Sequence, residues 1–336
     1  MKLRIIGLAL SLSLVLTACG GEGDGGGRAS FLGRAAGISE EETLLTVDGR
    51  AVPGWRYLYW LAAACDQLAE EYRAAGEELD WQAQTDQGTP AQWALRQALA
   101  DTALYATVEN WAEQYGCALT ESDRERLEAD WAEQAGDDEA AALAALRDRG
   151  LDRERARELA GVGLLYAQLC ALAAGDGPAA ADAEALEAFA REAGYLTVDR
   201  ILIPAGDGAS EQAAEAFSAL NGASDIAAVF DRLSAAGADT AGPRTLQPGG
   251  GTLDPELEQA ALALEEGQCS GILETAEGYS ILRRLPTDTA AVETAFLDRR
   301  LQDAAAAADI RTGEDYAALD PAAFYQALEA LRQAGA

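Results

Sequence analysis

Hydrophobic residues recur every three or four positions along most of the chain, which is the spacing of helices with one buried face. The clearest case runs from about Trp55 to Ala75, where Leu58, Leu61 and Leu68 fall on one side. Thr89-Pro90-Ala91-Gln92 predicts the start of the next helix, because it combines a capping box with proline in the first turn. Further helices are predicted to start at Thr120 and to cover about 138–148, 152–173 and 182–193.

The pattern changes to alternation after Tyr195, where residues 196–203 are rich in β-branched side chains and predict a strand. Predicted next are helices over about 210–220, 225–236 and 254–264, and then strands over 270–275 and 279–285. This segment therefore has the order β-α-α-α-β-β. A hairpin turning at Asp48-Gly49 precedes the first helix. A helical pair over about 289–308 and 321–333 closes a chain whose predicted fold class is α+β.

The first residues form a separate segment. Lys2 and Arg4 precede an apolar run from Ile5 to Leu16. A helix of this length spans about 18 Å, whereas a bilayer core of about 30 Å needs closer to 20 residues. The run therefore indicates a secretory signal rather than a membrane-spanning helix.

The signal ends in Leu16-Thr17-Ala18-Cys19, which resembles the lipobox of bacterial lipoproteins. The resemblance implies that residues 1–18 are removed and that the Cys19 thiol receives a diacylglycerol anchor. The alternative is an ordinary signal peptide that contains a cysteine. Residues 19–40 are predicted to be a flexible tether, because the stretch that follows Cys19 is rich in glycine.

The charge balance excludes several functions. The chain has 57 acidic and 25 basic residues, a formal charge of −32, and no histidine. Nucleic-acid binding requires basic patches, so we do not expect it. Without histidine the commonest general base and metal ligand are missing, and we expect no metal and no cofactor. Cys65, Cys117, Cys170 and Cys269 are widely spaced, which favours free thiols but leaves one oxidised pair open.

Three stretches after Tyr195 share the pattern of one family. Val198–Ile203 corresponds to its opening strand, Pro255–Leu264 to its third helix, and Gly267–Leu282 to its closing pair of strands. The segment 194–286 thus resembles the parvulin-type (PpiC) peptidyl-prolyl cis-trans isomerase domain. Thr46-Val47-Asp48-Gly49 followed by a helix is similar to the start of the helical chaperone domains of PrsA and SurA foldases. The resemblance implies a chaperone-like helical domain over 41–193, completed by C-terminal helices over 287–336.

The resemblance also implies a degenerate catalytic site. Active parvulins place two histidines beneath the reacting proline, in a polar network with a cysteine or aspartate. Arg200 stands at the strand histidine and Ser280 at the histidine that follows Gly-Tyr. Asp239 is the nearest candidate for the acidic position. The proline pocket would be lined by Leu253, Leu257 and Leu262, although these leucines are equally consistent with simple helix packing.

The sequence therefore predicts a lipid-anchored foldase or chaperone on the extracytoplasmic face of the cell membrane, with weak or absent isomerase activity. Its expected partners are unfolded or newly exported proteins and proline-containing peptides. Two alternatives stay open. One is an active isomerase that uses Arg200 and Asp239 in place of histidines, and the other is a non-catalytic structural lipoprotein of the envelope.

Overall fold

The structure, a computed structural model, describes residues 31–239, 241–251 and 253–335, so the predicted signal, Cys19 and the start of the tether lie outside it. Its helices are α1 (Phe31–Ala36), α2 (Gly54–Ala75), α3 (Pro90–Gln114), α4 (Glu121–Ala135), α5 (Glu139–Asp148), α6 (Arg153–Ala173), α7 (Ala183–Glu192), α8 (Ala209–Asn221), α9 (Ile226–Ala236), α10 (Pro255–Ala263), α11 (Glu293–Ala307), α12 (Glu314–Ala317) and α13 (Pro321–Gly335). Its strands are β1 (Thr43–Val47), β2 (Arg50–Pro53), β3 (Leu196–Pro204), β4 (Arg244–Leu246), β5 (Leu273–Thr275), β6 (Gly278–Leu285) and β7 (Ile310–Thr312).

The predicted α+β class is confirmed. Of the described helices, none combines the length and apolar character needed to cross a bilayer.

The described residues divide into two compact units. Unit 1 contains the residues up to Leu172 and from Asp298 onward, and unit 2 contains Ala173–Leu297. Unit 2 is longer at both ends than the predicted insert 194–286. The reason is packing: Leu186 of α7 forms a buried cluster with Val292, which lies just before α11.

Unit 1 is built on the pair α2 and α3. Tyr57, Leu58, Leu61 and Cys65 of α2 are fully buried. The predicted capping box of α3 is confirmed, because the Gln92 amide donates to Thr89 Oγ1 over 3.2 Å and the Thr89 amide donates to Gln92 Oε1 over 3.1 Å. Satisfying these amides fixes where α3 begins.

The N-terminal hairpin of unit 1 is also as predicted. It turns at Asp48 (φ 49°) and Gly49 (φ 84°), both in the left-handed region that two-residue hairpin turns use. The sheet has the antiparallel order β2-β1-β7. Strand β7 was not predicted, because three residues are too few to show alternation.

The predicted tether is wrong for residues 31–40. Phe31–Ala36 forms α1, and Leu32 is fully buried. The Leu32 side chain occupies the space that a Cβ atom at Gly150 would fill, and the Gly33 amide donates to Glu40 Oε1 over 2.6 Å. Apolar residues at the start of this segment therefore fold onto unit 1.

Unit 2 contains an antiparallel sheet of order β4-β3-β6-β5. The core cluster on one face includes residues of α8 and α9, and the cluster on the other includes residues of α10. The predicted order β-α-α-α-β-β lacked β4, so the correct order from β3 onward is β-α-α-β-α-β-β. The missed strand has only three residues, between Pro243 and Pro248, and its pattern is too short to recognise.

The four cysteines of the described chain are free thiols. Cys65 is buried, and Cys117, Cys170 and Cys269 are half-buried. Burial raises the pKa of each thiol. A raised thiol pKa lowers the thiolate fraction, which makes these side chains poor nucleophiles.

Candidate functional site

The register of the unit 2 sheet sets which side chains share a face, because neighbouring residues on a strand point to opposite sides. Arg200 of β3 lies opposite Leu282 of β6, and Leu202 lies opposite Ser280. Leu282 packs in one core cluster with Leu257 of α10. Arg200, Ser280 and Leu282 therefore belong to one side of the sheet, which we term the α10 face.

The apolar residues predicted to hold proline do not line an open pocket. Leu253 and Leu257 are 8% and 1% exposed, and both pack into the core cluster of the α10 face. Leu262 is 47% exposed and lies outside that cluster. Leu253 and Leu257 therefore fit the alternative that they are helix-packing residues. Leu262 lies apart from them on the surface.

Arg200 is held between two carboxylates. Its Nε atom lies 3.5 Å from Asp239 Oδ2, and its Nη2 atom donates to Glu277 Oε2 over 2.5 Å. The side chains of Arg200 and Asp239 are 9% and 7% exposed, whereas that of Glu277 is 65% exposed. The guanidinium thus reaches from the interior of unit 2 to the turn between β5 and β6.

Asp239 is shared between two arginines. Its Oδ1 atom accepts a hydrogen bond from Arg244 of β4, in addition to the contact of Oδ2 with Arg200. The side chains form a chain of alternating charge, Glu277–Arg200–Asp239–Arg244, which we term the charge chain. It joins the β5–β6 turn, β3, the loop after α9 and β4. Attraction along the charge chain offsets part of the desolvation cost of its two buried members, Arg200 and Asp239.

Ser280 is fully buried and contributes no link to the charge chain. Its Oγ atom has no hydrogen-bond partner within the described residues, and the same holds for Arg200 Nε and Asp239 Oδ2. The predicted trio is therefore gathered on or next to the α10 face without forming a hydrogen-bonded network. Buried polar atoms without partners typically cost about 1–3 kcal/mol each.

A second buried arginine, Arg283, lies on the opposite face of the sheet and is neutralised by two aspartates. Arg283 Nη2 lies 2.5 Å from Asp231 Oδ1 and 3.8 Å from Asp199 Oδ2. Asp199 accepts from the Arg200 backbone amide over 2.8 Å, but its side chain is committed to Arg283 and to Ser234 Oγ at 3.1 Å. Asp199, although next to Arg200 in sequence, therefore does not neutralise the Arg200 side chain.

The sequence-based prediction missed Glu277 and Arg244. Neither position belongs to the family's histidine network, so the resemblance did not point to them. Charge balance could have indicated them. A buried arginine at position 200 requires acids close by, which points to residues such as Glu277, and an aspartate that is shared requires a second cation, here Arg244.

A comparison with protein families identifies this segment. Residues 205–285 match the family model described as Rotamase, PPIC-type PPIASE domain. Unit 2 contains a parvulin-type domain. The match includes Asp239, Leu257 and Ser280 but begins after Arg200. The predicted resemblance to this family is confirmed over the matched residues.

Solved structures also resemble the chain. PrsA from Bacillus cereus is 15% identical, with 88% of this chain and 93% of that chain covered and a TM-score of 0.26. PrsA from Bacillus subtilis is 15% identical, with 76% and 92% covered and a TM-score of 0.26. A SurA-like chaperone of Campylobacter jejuni, from a study of PEB4 and Cj1289, is 12% identical, with 82% and 100% covered and a TM-score of 0.25. Such TM-scores do not establish a shared arrangement of whole chains. No curated protein matches the chain.

Proposed function

We propose that the chain is a lipid-anchored foldase or chaperone of the extracytoplasmic face of the cell membrane, in which the isomerase activity of the parvulin-type domain is weak or lost. The observation that carries the second part is the position of Arg200, buried between Asp239 and Glu277 where the family has a histidine. Its partners would be unfolded or newly exported proteins and proline-containing peptides.

The chemistry of prolyl isomerisation explains why this arrangement is unfavourable. The barrier of about 18–20 kcal/mol falls only if the site favours the twisted amide over the planar one. That requires an apolar grip on the ring and polar groups free to stabilise the shifting charge. Leu253 and Leu257 are packed into the core, and Arg200 is already engaged by two carboxylates.

A chaperone role is supported by the aromatic residues of unit 1. Trp60, Trp93, Trp111 and Trp131 are only half-buried, so each keeps some ring surface near solvent. Trp111 is covered in part by Arg300, at 5.1 Å from the ring centroid. Amphipathic aromatic surface of this kind suits transient contact with apolar segments of unfolded chains.

Two assays separate the proposal from its alternatives. A protease-coupled assay on a proline tetrapeptide should give a rate at least about tenfold below that of a histidine-bearing parvulin, equivalent to about 1.4 kcal/mol. Suppression of aggregation of a reduced, unfolded exported protein should be retained. A full isomerase rate that Arg200→Ala abolishes would favour the active enzyme, and failure in both assays would favour a structural lipoprotein.

The anchor is tested separately, at Cys19. Cys19→Ser should abolish labelling by a fatty-acid probe and release or stall the precursor, because the thiol is the proposed attachment atom. The matched control is Cys65→Ser, which changes a buried thiol of α2 and should leave labelling intact. Unchanged labelling of Cys19→Ser would contradict the lipid anchor without affecting the chaperone proposal.

A further inference from the structure

We propose that Arg200 and the β5–β6 turn form a carboxylate-exchange site, in which an acidic side chain of a bound client peptide replaces the carboxylate of Glu277. The proposal rests on the proposed chaperone function and adds a substrate preference to it. Unit 2 would then select segments that carry aspartate or glutamate, even though the chain as a whole has a charge of −32.

The first argument is the state of the Arg200 guanidinium. Its side chain is only 9% exposed, and Nη2 donates to Glu277 Oε2 over 2.5 Å. Nε is buried and has no hydrogen-bond partner among the described residues. Nε also lies 3.5 Å from Asp239 Oδ2, so this end of the guanidinium faces the interior. The Nη2 end, which binds Glu277, is therefore the end where a carboxylate from outside could be accepted, since a guanidinium presents its donors in a planar fork that suits carboxylates.

The second argument is the difference between its two acidic partners. Asp239 is 7% exposed and shared with Arg244, so its removal would leave two arginines without their common acid. Glu277 is 65% exposed and lies in a turn. The Glu277 carboxylate is readily hydrated when it leaves the ion pair, whereas Asp239 is not. Glu277 is therefore the partner that an external carboxylate can replace.

The third argument is the local charge. Val198, two residues before Arg200 on β3, lies opposite Arg244 of β4 and Arg284 of β6. These two arginines are therefore on the α10 face, in the cross-strand row adjacent to that of Arg200. Arg284 Nε is buried without a hydrogen-bond partner, and no acidic residue of the described chain pairs with it. Arg200, Arg244 and Arg284 therefore lie close together on this face, and an incoming carboxylate would be attracted by more than one cation.

The test uses two labelled peptides of equal length that differ only by glutamate or glutamine at the central position. Each is titrated against the full chain by fluorescence anisotropy. The wild type should bind the glutamate peptide about threefold more tightly, the size expected of an exposed ion pair. Glu277→Gln should raise this preference by about another threefold, because it removes the internal competitor while leaving Arg200 in place.

The matched control is Glu274→Gln, which removes an exposed acid from the same hairpin that has no ion pair among the described residues. It should leave the preference unchanged, and equal melting temperatures of the variants would exclude a folding effect. Equal preferences in Glu277→Gln and Glu274→Gln, or no preference in the wild type, would overturn the exchange site. If neither peptide binds but aggregation is still suppressed, only the exchange site is refuted. If peptide binding and aggregation suppression are both absent, the proposed chaperone function is refuted as well.

Discussion

Arg332 of α13 binds Asp66 of α2 through both ends of its guanidinium, with Nη1 donating to Oδ1 over 2.7 Å and Nη2 to Oδ2 over 3.0 Å. The hydroxyl of Tyr325 donates to the same Oδ1 atom over 3.0 Å. These bonds connect the last helix of the chain with the first long helix. Unit 1 is thus held together by residues that lie on both sides of unit 2 in the sequence.

Arg332→Met should lower the free energy of unfolding of unit 1 by about 1–2 kcal/mol, because a bidentate, charge-assisted contact is lost and Asp66 keeps only Tyr325. Urea unfolding followed by tryptophan fluorescence measures the change. The control is Arg73→Met on the same α2, whose ion pair with Glu70 is exposed. Equal shifts of the two variants would contradict a structural role for Arg332.

Asp101 should make unit 1 less stable as pH rises from about 4 to 6. Burial raises its pKa to about 6, partly offset by hydrogen bonds from Gln97 at 3.1 Å. In this window the folded protein keeps the proton, whereas the unfolded chain, with a pKa of about 3.9, releases it. Unfolding then releases protons, so stability falls as pH increases.

Asp101→Asn tests this sign. The variant should be about 2–3 kcal/mol more stable than the wild type at pH 7.5, and the difference should vanish near pH 4. Thermal melting at both pH values measures it. The exposed Asp137→Asn should change stability little at either pH. A gain by Asp101→Asn that is independent of pH would point to packing instead of ionisation.

The sequence was informative wherever a pattern was long or chemically specific. The capping box at Thr89, the Asp48-Gly49 turn and the strand from Leu196 were all predicted, because each has a local cause. Strands β4 and β7 were not predicted, since three residues become a strand only through a distant partner. Helix α1 likewise packs through a distant residue, because the Leu32 side chain needs the space left by the missing side chain of Gly150.

The site shows the same division. The family resemblance identified Arg200, Asp239 and Ser280, and the fold does gather them. It did not identify Glu277, because a turn residue reaches Arg200 only through the register of β3 on β6. Nor could it decide between pocket and packing for Leu257, which depends on how closely α10 approaches the sheet.

A fragment covering Ala173–Leu297 should fold alone and melt at a higher temperature than one covering 194–286. The shorter fragment loses Leu186 and Val292, which form a buried cluster, and the tilted ring contact between Phe189 and Phe296, whose centroids lie 5.2 Å apart. Circular dichroism melting of both fragments measures this. Identical melting temperatures would show that α7 and the residues before α11 are not needed by the sheet.

The final prediction concerns repair of the degenerate site, where position 200 now carries a cation that binds Asp239 and Glu277. Arg200→His alone leaves Ser280 buried without a partner, and Ser280→His alone adds a ring to the α10 face while Arg200 still occupies the other histidine position. Each single change should therefore have little effect on the isomerase rate.

Arg200→His combined with Ser280→His should raise the isomerase rate by more than the product of the single effects, because two rings on the α10 face can form one network with Asp239. The protease-coupled assay on a proline tetrapeptide measures it, and stopped-flow mixing extends it to slow rates. Aggregation suppression should change little, since unit 1 is unaltered, and the melting temperature of the double variant serves as the control for folding of unit 2. A double variant no faster than the wild type would show that the buried leucines, rather than the missing histidines, limit catalysis.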